Sequence, residues 1–85
     1  MYIFREMETF KNSDQIASQV YKHDTGNDED DLRLAESQLF ATMSSALVNN
    51  DVKMVVCDIV APNGSVTRVE SNVKPDPTPE PEQTE

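Results

Sequence analysis

Apolar positions along the chain recur in blocks, and the spacing within each block predicts an element. Tyr2 to Phe10 is rich in aromatic and β-compatible residues and reads as a strand. Tyr2, Phe4, Glu6, Glu8 and Phe10 share one face; Ile3, Arg5, Met7 and Thr9 share the other. Both sets mix apolar and polar residues, so alternation alone does not select the buried face. Asn12-Ser13-Asp14-Gln15 has the form of a helix start, with Asn12 as cap. Ile16, Ala17, Val20 and Tyr21 then fall on one stripe of a short first helix that ends by Gly26. A longer helix is predicted from Asp28 to Asn49. Its core stripe is Leu32, Ala35, Leu39, Met43, Ala46 and Leu47, with Phe40 beside it. The small residues Ser37, Ala41, Ser44 and Ser45, with Val48, form a flank where the first helix is expected to pack.

Asn49-Asn50-Asp51 breaks the helical period, and a β-hairpin follows, with strands from about Lys53 to Ala61 and Ser65 to Val73. Pro62-Asn63-Gly64 joins them. Proline's fixed φ suits the second position of a type I turn, leaving Gly64 as a left-handed bulge. That register pairs Val60 with Val66, Asp58 with Arg68 and Cys57 with Val69. A two-residue Asn-Gly turn would set Asp58 opposite Val69; the bulged register is preferred because it matches apolar to apolar and charge to opposite charge.

The expected order is strand, helix, helix, strand, strand: an α+β two-layer domain over residues 1–74. Two helices would cover one face of a small, mainly antiparallel three-stranded sheet. The other face would present Met54, Val56, Val60 and Val66 around an Asp58–Arg68 ion pair. From Pro75 to Glu85 the chain carries proline at every second position from 75 to 81 and no large apolar residue. Such a segment has nothing to bury against the entropy of ordering, so a disordered acidic tail is expected.

Composition narrows the function more than the fold. The 85 residues hold 16 acids and 7 bases, a net charge of -9, and 36% hydrophobic residues. Four of the acids lie in the tail, so the preceding residues keep 12 acids against 7 bases, a net of −5. That balance opposes direct nucleic-acid binding, which relies on Lys and Arg displacing counterions. The apolar runs, such as Met54-Val55-Val56-Cys57, fall far short of the roughly 20 residues of a membrane span. They also fall short of the ~7-residue apolar core of a secretion signal. With the single Cys57 unable to form an internal disulfide, a reducing, cytoplasmic setting is expected.

No catalytic, cofactor or metal set emerges. Asp24-Thr25-Gly26 is the triplet of aspartic proteases, but it follows Lys22-His23 instead of an apolar strand, and two glycines in all are too few for that family's flap. An EF-hand loop counted from Asp24 would place Gly26 third, Glu29 sixth and Ala35 twelfth, which fails the ligand pattern. His23 stands at a helix end without further ligands. Cys57 sits mid-strand on the expected core face, where a thiol is inert. Asn63-Gly64-Ser65 reads as turn chemistry. The small size, acidity and missing catalytic residues resemble accessory proteins of bacteria or their phages.

The leading expectation is a non-enzymatic interaction or assembly module that associates through Met54, Val56, Val60 and Val66, flanking Asp58 and Arg68. Its partner would be a protein, most simply a second copy in a homodimer. The alternative is an acidic inhibitor that presents Asp28, Glu29, Asp30 and Asp31 in place of phosphates to a basic groove.

Overall fold

The strand begun at Tyr2 does not turn into a helix but folds back on itself. The computed structural model describes residues 1–75. Its elements are β1 (Tyr2–Phe10), β2 (Ser13–His23), α1 (Asp28–Val48), β3 (Val52–Val60) and β4 (Val66–Val73). The strands form one antiparallel sheet in the order β2-β1-β3-β4. The α+β class stands as expected. Four strands and one helix replace the expected three strands and two helices.

The segment after Asn12 was expected to be helical because its apolar residues lie four apart, at Ile16 and Val20. Four is close to one helical turn, but it is also two strand repeats, so the spacing satisfies both periods. In the sheet Ile16, Ser18, Val20 and Lys22 share one face, and Ala17, Gln19, Tyr21 and His23 the other. Pairing with β1 decides between the two, because β1 needs a neighbour on the side away from β3. The Ser13 hydroxyl accepts the Gln15 N–H at 3.0 Å, so the residues that resembled a helix cap serve the start of a hairpin return.

Irregularities set which residues face the helix. Pairing of β1 with β2 skips Asp14 and Gln15, and pairing of β1 with β3 skips Lys53. The second skip places Val52 opposite Phe10 and returns it to the core, where it is 1% exposed. The core consists of Phe4, Val52, Val55, Cys57 and Ile59 from the sheet and Ala35, Leu39 and Ala46 from the helix. Tyr2, Phe10, Leu32 and Met43 pack around it. The helix stripe therefore forms as expected except at its end, where Leu47 is exposed. Ser37, Ala41, Ser44, Ser45 and Val48 also stay exposed, since the described residues hold no second helix to cover them.

The β3–β4 turn has the expected shape but not the expected continuation. Gly64 N–H donates to the Ala61 carbonyl at 2.9 Å, Ala61 N–H to Ser65 at 2.8 Å, and Gly64 has φ +89°. Val60 pairs with Val66 as anticipated. Beyond it the pairing skips Thr67, whose hydroxyl donates to the Ile59 carbonyl at 3.3 Å. Every later pair shifts by one: Ile59 meets Arg68, Asp58 meets Val69 and Cys57 meets Glu70. The expected Asp58–Arg68 and Cys57–Val69 pairs are thus corrected, and a one-residue shift sends each β4 side chain to the opposite face. Arg68 lies on the helix side, 5.0 Å from the Phe40 ring centroid and 3.0 Å from Glu70. Asp58 instead receives a two-pronged contact from Arg5 on β1, with Nε donating to Oδ1 at 2.7 Å and the second nitrogen donating to Oδ2.

Gly64→Val should destabilise the domain by about 1–2 kcal/mol, because nothing crowds the site but a β-branched residue is strained at positive φ. Pro62→Ala should cost less, about 0.4–1 kcal/mol, by loosening the unfolded chain. Urea unfolding with an unchanged m-value checks both.

Candidate functional site

The sheet has a covered face and an open one. A helix is about 10–12 Å across and strands lie about 4.8 Å apart, so one helix spans little more than two strands. Here α1 lies chiefly over β1 and β3. The opposite face collects Ile16 and Val20 from β2, Ile3 and Met7 from β1, Met54, Val56 and Val60 from β3, and Val66, Val69 and Val73 from β4. Ile16, Val20, Val69 and Val73 are 63%, 68%, 58% and 61% exposed. The expected residues Met54, Val56, Val60 and Val66 do stand on this face, but three of them are half-buried by strand neighbours. The apolar surface is wider than the hairpin alone suggested. Ile16 and Val20 join it because the segment read as a helix is a strand, and Met7 joins it because β1 turns the face of Phe4 to the helix.

Charge at the centre of this face is balanced although the chain is strongly acidic. Arg5 and Asp58 neutralise one another at its centre, where the Asp58 side chain is 18% exposed. The hydrogen bonds and charge of Asp58 push the Arg5 guanidinium pKa further up.

The acidic helix start is differently organised from the surface first envisaged. Asn27 caps α1, its side chain accepting from Asp30 N–H at 3.0 Å. Asp31 is not part of an exposed acidic patch: it is fully buried. Its Oδ1 accepts from Thr25 N–H at 2.8 Å and from the Thr25 hydroxyl at 2.7 Å. Its Oδ2 lies 3.4 Å from the Met1 ammonium, which also pairs with Asp28. Burial opposes ionisation of Asp31, but the Thr25 bonds and the ammonium outweigh it and hold the carboxyl below its ordinary range. Asp30 is paired with Arg33 at 2.9 Å. Asp24-Thr25-Gly26 thus ties β2 to α1, with Gly26 at φ +93°. His23 Nε2 donates to Gln38 Oε1 at 2.7 Å, joining the end of β2 to the helix.

On the covered face a polar cleft of about 340 Å³ opens between α1 and the β1–β2 pair, lined by Glu6, Glu8, Gln19, Ala41, Thr42 and Ser45. Glu6 and Glu8 project side by side from β1, and Gln19 donates to Glu6. The hydrogen bond with Glu6, then burial, then the Glu6 charge push the Glu8 carboxyl up to about 7. Lys74 acts against this rise. Its ammonium donates to the Ala46 carbonyl at 2.9 Å and also to Asn49, closing the helix C-terminus, whose last turn has no base of its own. Behind the pair, burial and then the charges of Glu6, Glu8 and Asp58 raise the Cys57 thiol to about 12, which leaves it unreactive at neutral pH. The alternation in Tyr2–Phe10 held the signal for this pair, but only the pairing of Glu6 with Cys57 and Glu8 with Val55 shows that they face the helix.

Among the described residues no three His, Cys, Asp or Glu side chains gather as a metal centre, and no helix is long and apolar enough to cross a membrane. The tail expected to be disordered falls, from residue 76 onward, outside the described residues. Comparison with protein-family models, with curated proteins and with solved structures finds no match to this chain.

Glu8 makes stability depend on pH in a defined direction. Its folded pKa of about 7 lies above the ordinary 4.5, so the folded state holds a proton that the unfolded chain has released. The associated stability is complete below pH ~4.5 and is lost as pH rises through about 7. Glu8→Gln should flatten this part of the profile and raise stability at pH 8, on the order of 2 kcal/mol. Denaturant titrations of both proteins at pH 5 and pH 8 measure it.

Proposed function

We propose that this protein is a small acidic interaction module, without catalytic activity, that associates through the open face of its sheet. The observation that carries the reading is the apolar surface contributed by all four strands on the side away from α1. A domain rarely leaves large apolar side chains from every strand of one sheet face in water without a use for them. The simplest partner is a second copy, giving a self-complementary contact about a two-fold axis. Local charge supports this choice. Copies of a chain with net charge -9 repel one another. The open face is where that repulsion is least, since Arg5 cancels Asp58 and the acids of α1 lie on the other side.

Burying the Arg5–Asp58 pair in such a contact costs less than burying a lone charge, because each partner already satisfies the other through two hydrogen bonds. The reading of Asp28 to Asp31 as a phosphate-like surface is the weaker one, since Asp31 is buried and Asp28 and Asp30 are already paired.

Val56→Lys or Val60→Lys should weaken self-association by about 2 kcal/mol or more, because each places an unpaired charge in the contact once per subunit. Glu29→Lys at the helix start should leave it unchanged. Sedimentation equilibrium at several concentrations, with circular dichroism to show retained structure, separates these results. Association through the apolar face should also change little between low and high salt, whereas an acidic surface on a basic groove would weaken steeply. A wild-type chain that stays monomeric at millimolar concentration would overturn the self-association.

A further inference from the structure

The open face does not account for β2. This strand lies at the edge of the sheet, and every residue from Ser13 to Lys22 is exposed, on both faces. Among the described residues no strand neighbours its outward backbone groups, and it contains no proline to block one. Edge strands of this length are normally guarded by charge, by bulges or by a covering segment. Here the guard is confined to one end, where the pairing with β1 skips Asp14 and Gln15. From Ile16 to His23 the pairing with β1 is regular.

The residues of this edge are complementary to themselves when read in reverse. An antiparallel pairing of two copies centred on Ser18 sets Ile16 opposite Val20 and Ala17 opposite Gln19. Directly opposed residues share a face in an antiparallel pair, so Ile16 meets Val20 on the open side, twice by symmetry, and Lys22 comes beside the irregular end that carries Asp14. Ile16 and Val20, at 63% and 68% among the most exposed apolar residues of the chain, would cover one another. One acid and one base in Ser13–His23 also make this edge neutral in an acidic chain.

The other edge offers less. Arg68 and Glu70 of β4 are already paired with each other at 3.0 Å, and the Thr67 skip interrupts that strand near its start.

We infer that two copies of the chain join edge to edge through β2, in antiparallel register centred on Ser18, forming a continuous eight-stranded sheet. The two-fold axis then runs perpendicular to the sheet, so both helices lie on one side and the open apolar faces merge on the other. The inference goes beyond the face contact and does not depend on it.

Cysteine cross-linking reads the register directly. Opposed residues stand about 4.5–5.5 Å apart at Cα, within the roughly 4.4–6.8 Å that a disulfide spans. Ser18→Cys should therefore give a disulfide-linked dimer under mild oxidation. Ala17→Cys, which would face Gln19, should cross-link far more slowly. Lys22→Asp should weaken association about tenfold or more by placing like charges beside each other at both ends. Asp14→Lys combined with Lys22→Asp should restore it. Equal cross-linking at positions 17 and 18, or none at 18, would overturn the proposal, as would failure of the paired exchange to rescue the single change. Val56→Lys keeps the two contacts apart: cross-linking at position 18 should survive it. Association lost in Val56→Lys with no cross-linking at Ser18→Cys would leave the face contact standing and remove the edge contact.

Discussion

One helix covering a four-stranded sheet is the constraint on which the rest of the molecule depends. The helix supplies Ala35, Leu39 and Ala46 to a core built on β1 and β3, and it is too narrow to shelter β2 and β4 as well. Burial is therefore concentrated in the two central strands. The flanking strands are held mainly by their ladders, and Ile16, Val20, Val66, Val69 and Val73 remain in water because they stand on the face away from the helix. The open sheet face and the bare β2 edge are two consequences of the same shortage of cover.

Within that constraint β1 is the organising strand. It pairs on both sides, sends Phe4 into the core, and holds Asp58 through Arg5 on the open face. A cross-strand ion pair of this kind contributes only ~0.2–1 kcal/mol. Its larger effect is to neutralise the centre of an apolar surface, so that another surface can approach without leaving a charge stranded. The helix-side face of β1 has the opposite character. Glu6 and Glu8 sit beside the core under the helix, and the raised pKa of Glu8 lessens the repulsion between the two neighbouring carboxyls.

Much of the polar chemistry serves the helix ends. At the N-terminal end Asn27 caps the helix, and Asp31 draws in Thr25 and the Met1 ammonium to lock the β2–α1 connection. At the other end Lys74, just beyond β4, supplies the base that the last helical turn lacks. These contacts fasten α1 to the sheet at both ends and leave its outer flank of serines and alanines free in solvent.

The helix from Asp28, the β1 strand and the Pro62–Gly64 turn were readable from residues alone because each rests on a local rule. A sustained three- and four-residue apolar stripe, a run of β-favouring residues, and proline followed by glycine at positive φ act over a few bonds. The conformation of Ser13–His23 was not readable, because an apolar spacing of four fits both periods and only the vacancy beside β1 selects the strand. The partner of Asp58 was not readable either. A single extra residue at Thr67 exchanges the faces of β4, and whether a ladder skips a residue depends on the fit of two strands and not on either one. Which face of β1 is buried was likewise decided by tertiary structure, since both faces carry charged and apolar residues. The helix settled it by packing over Phe4, and with that choice it fixed which apolar side chains remain open to a partner.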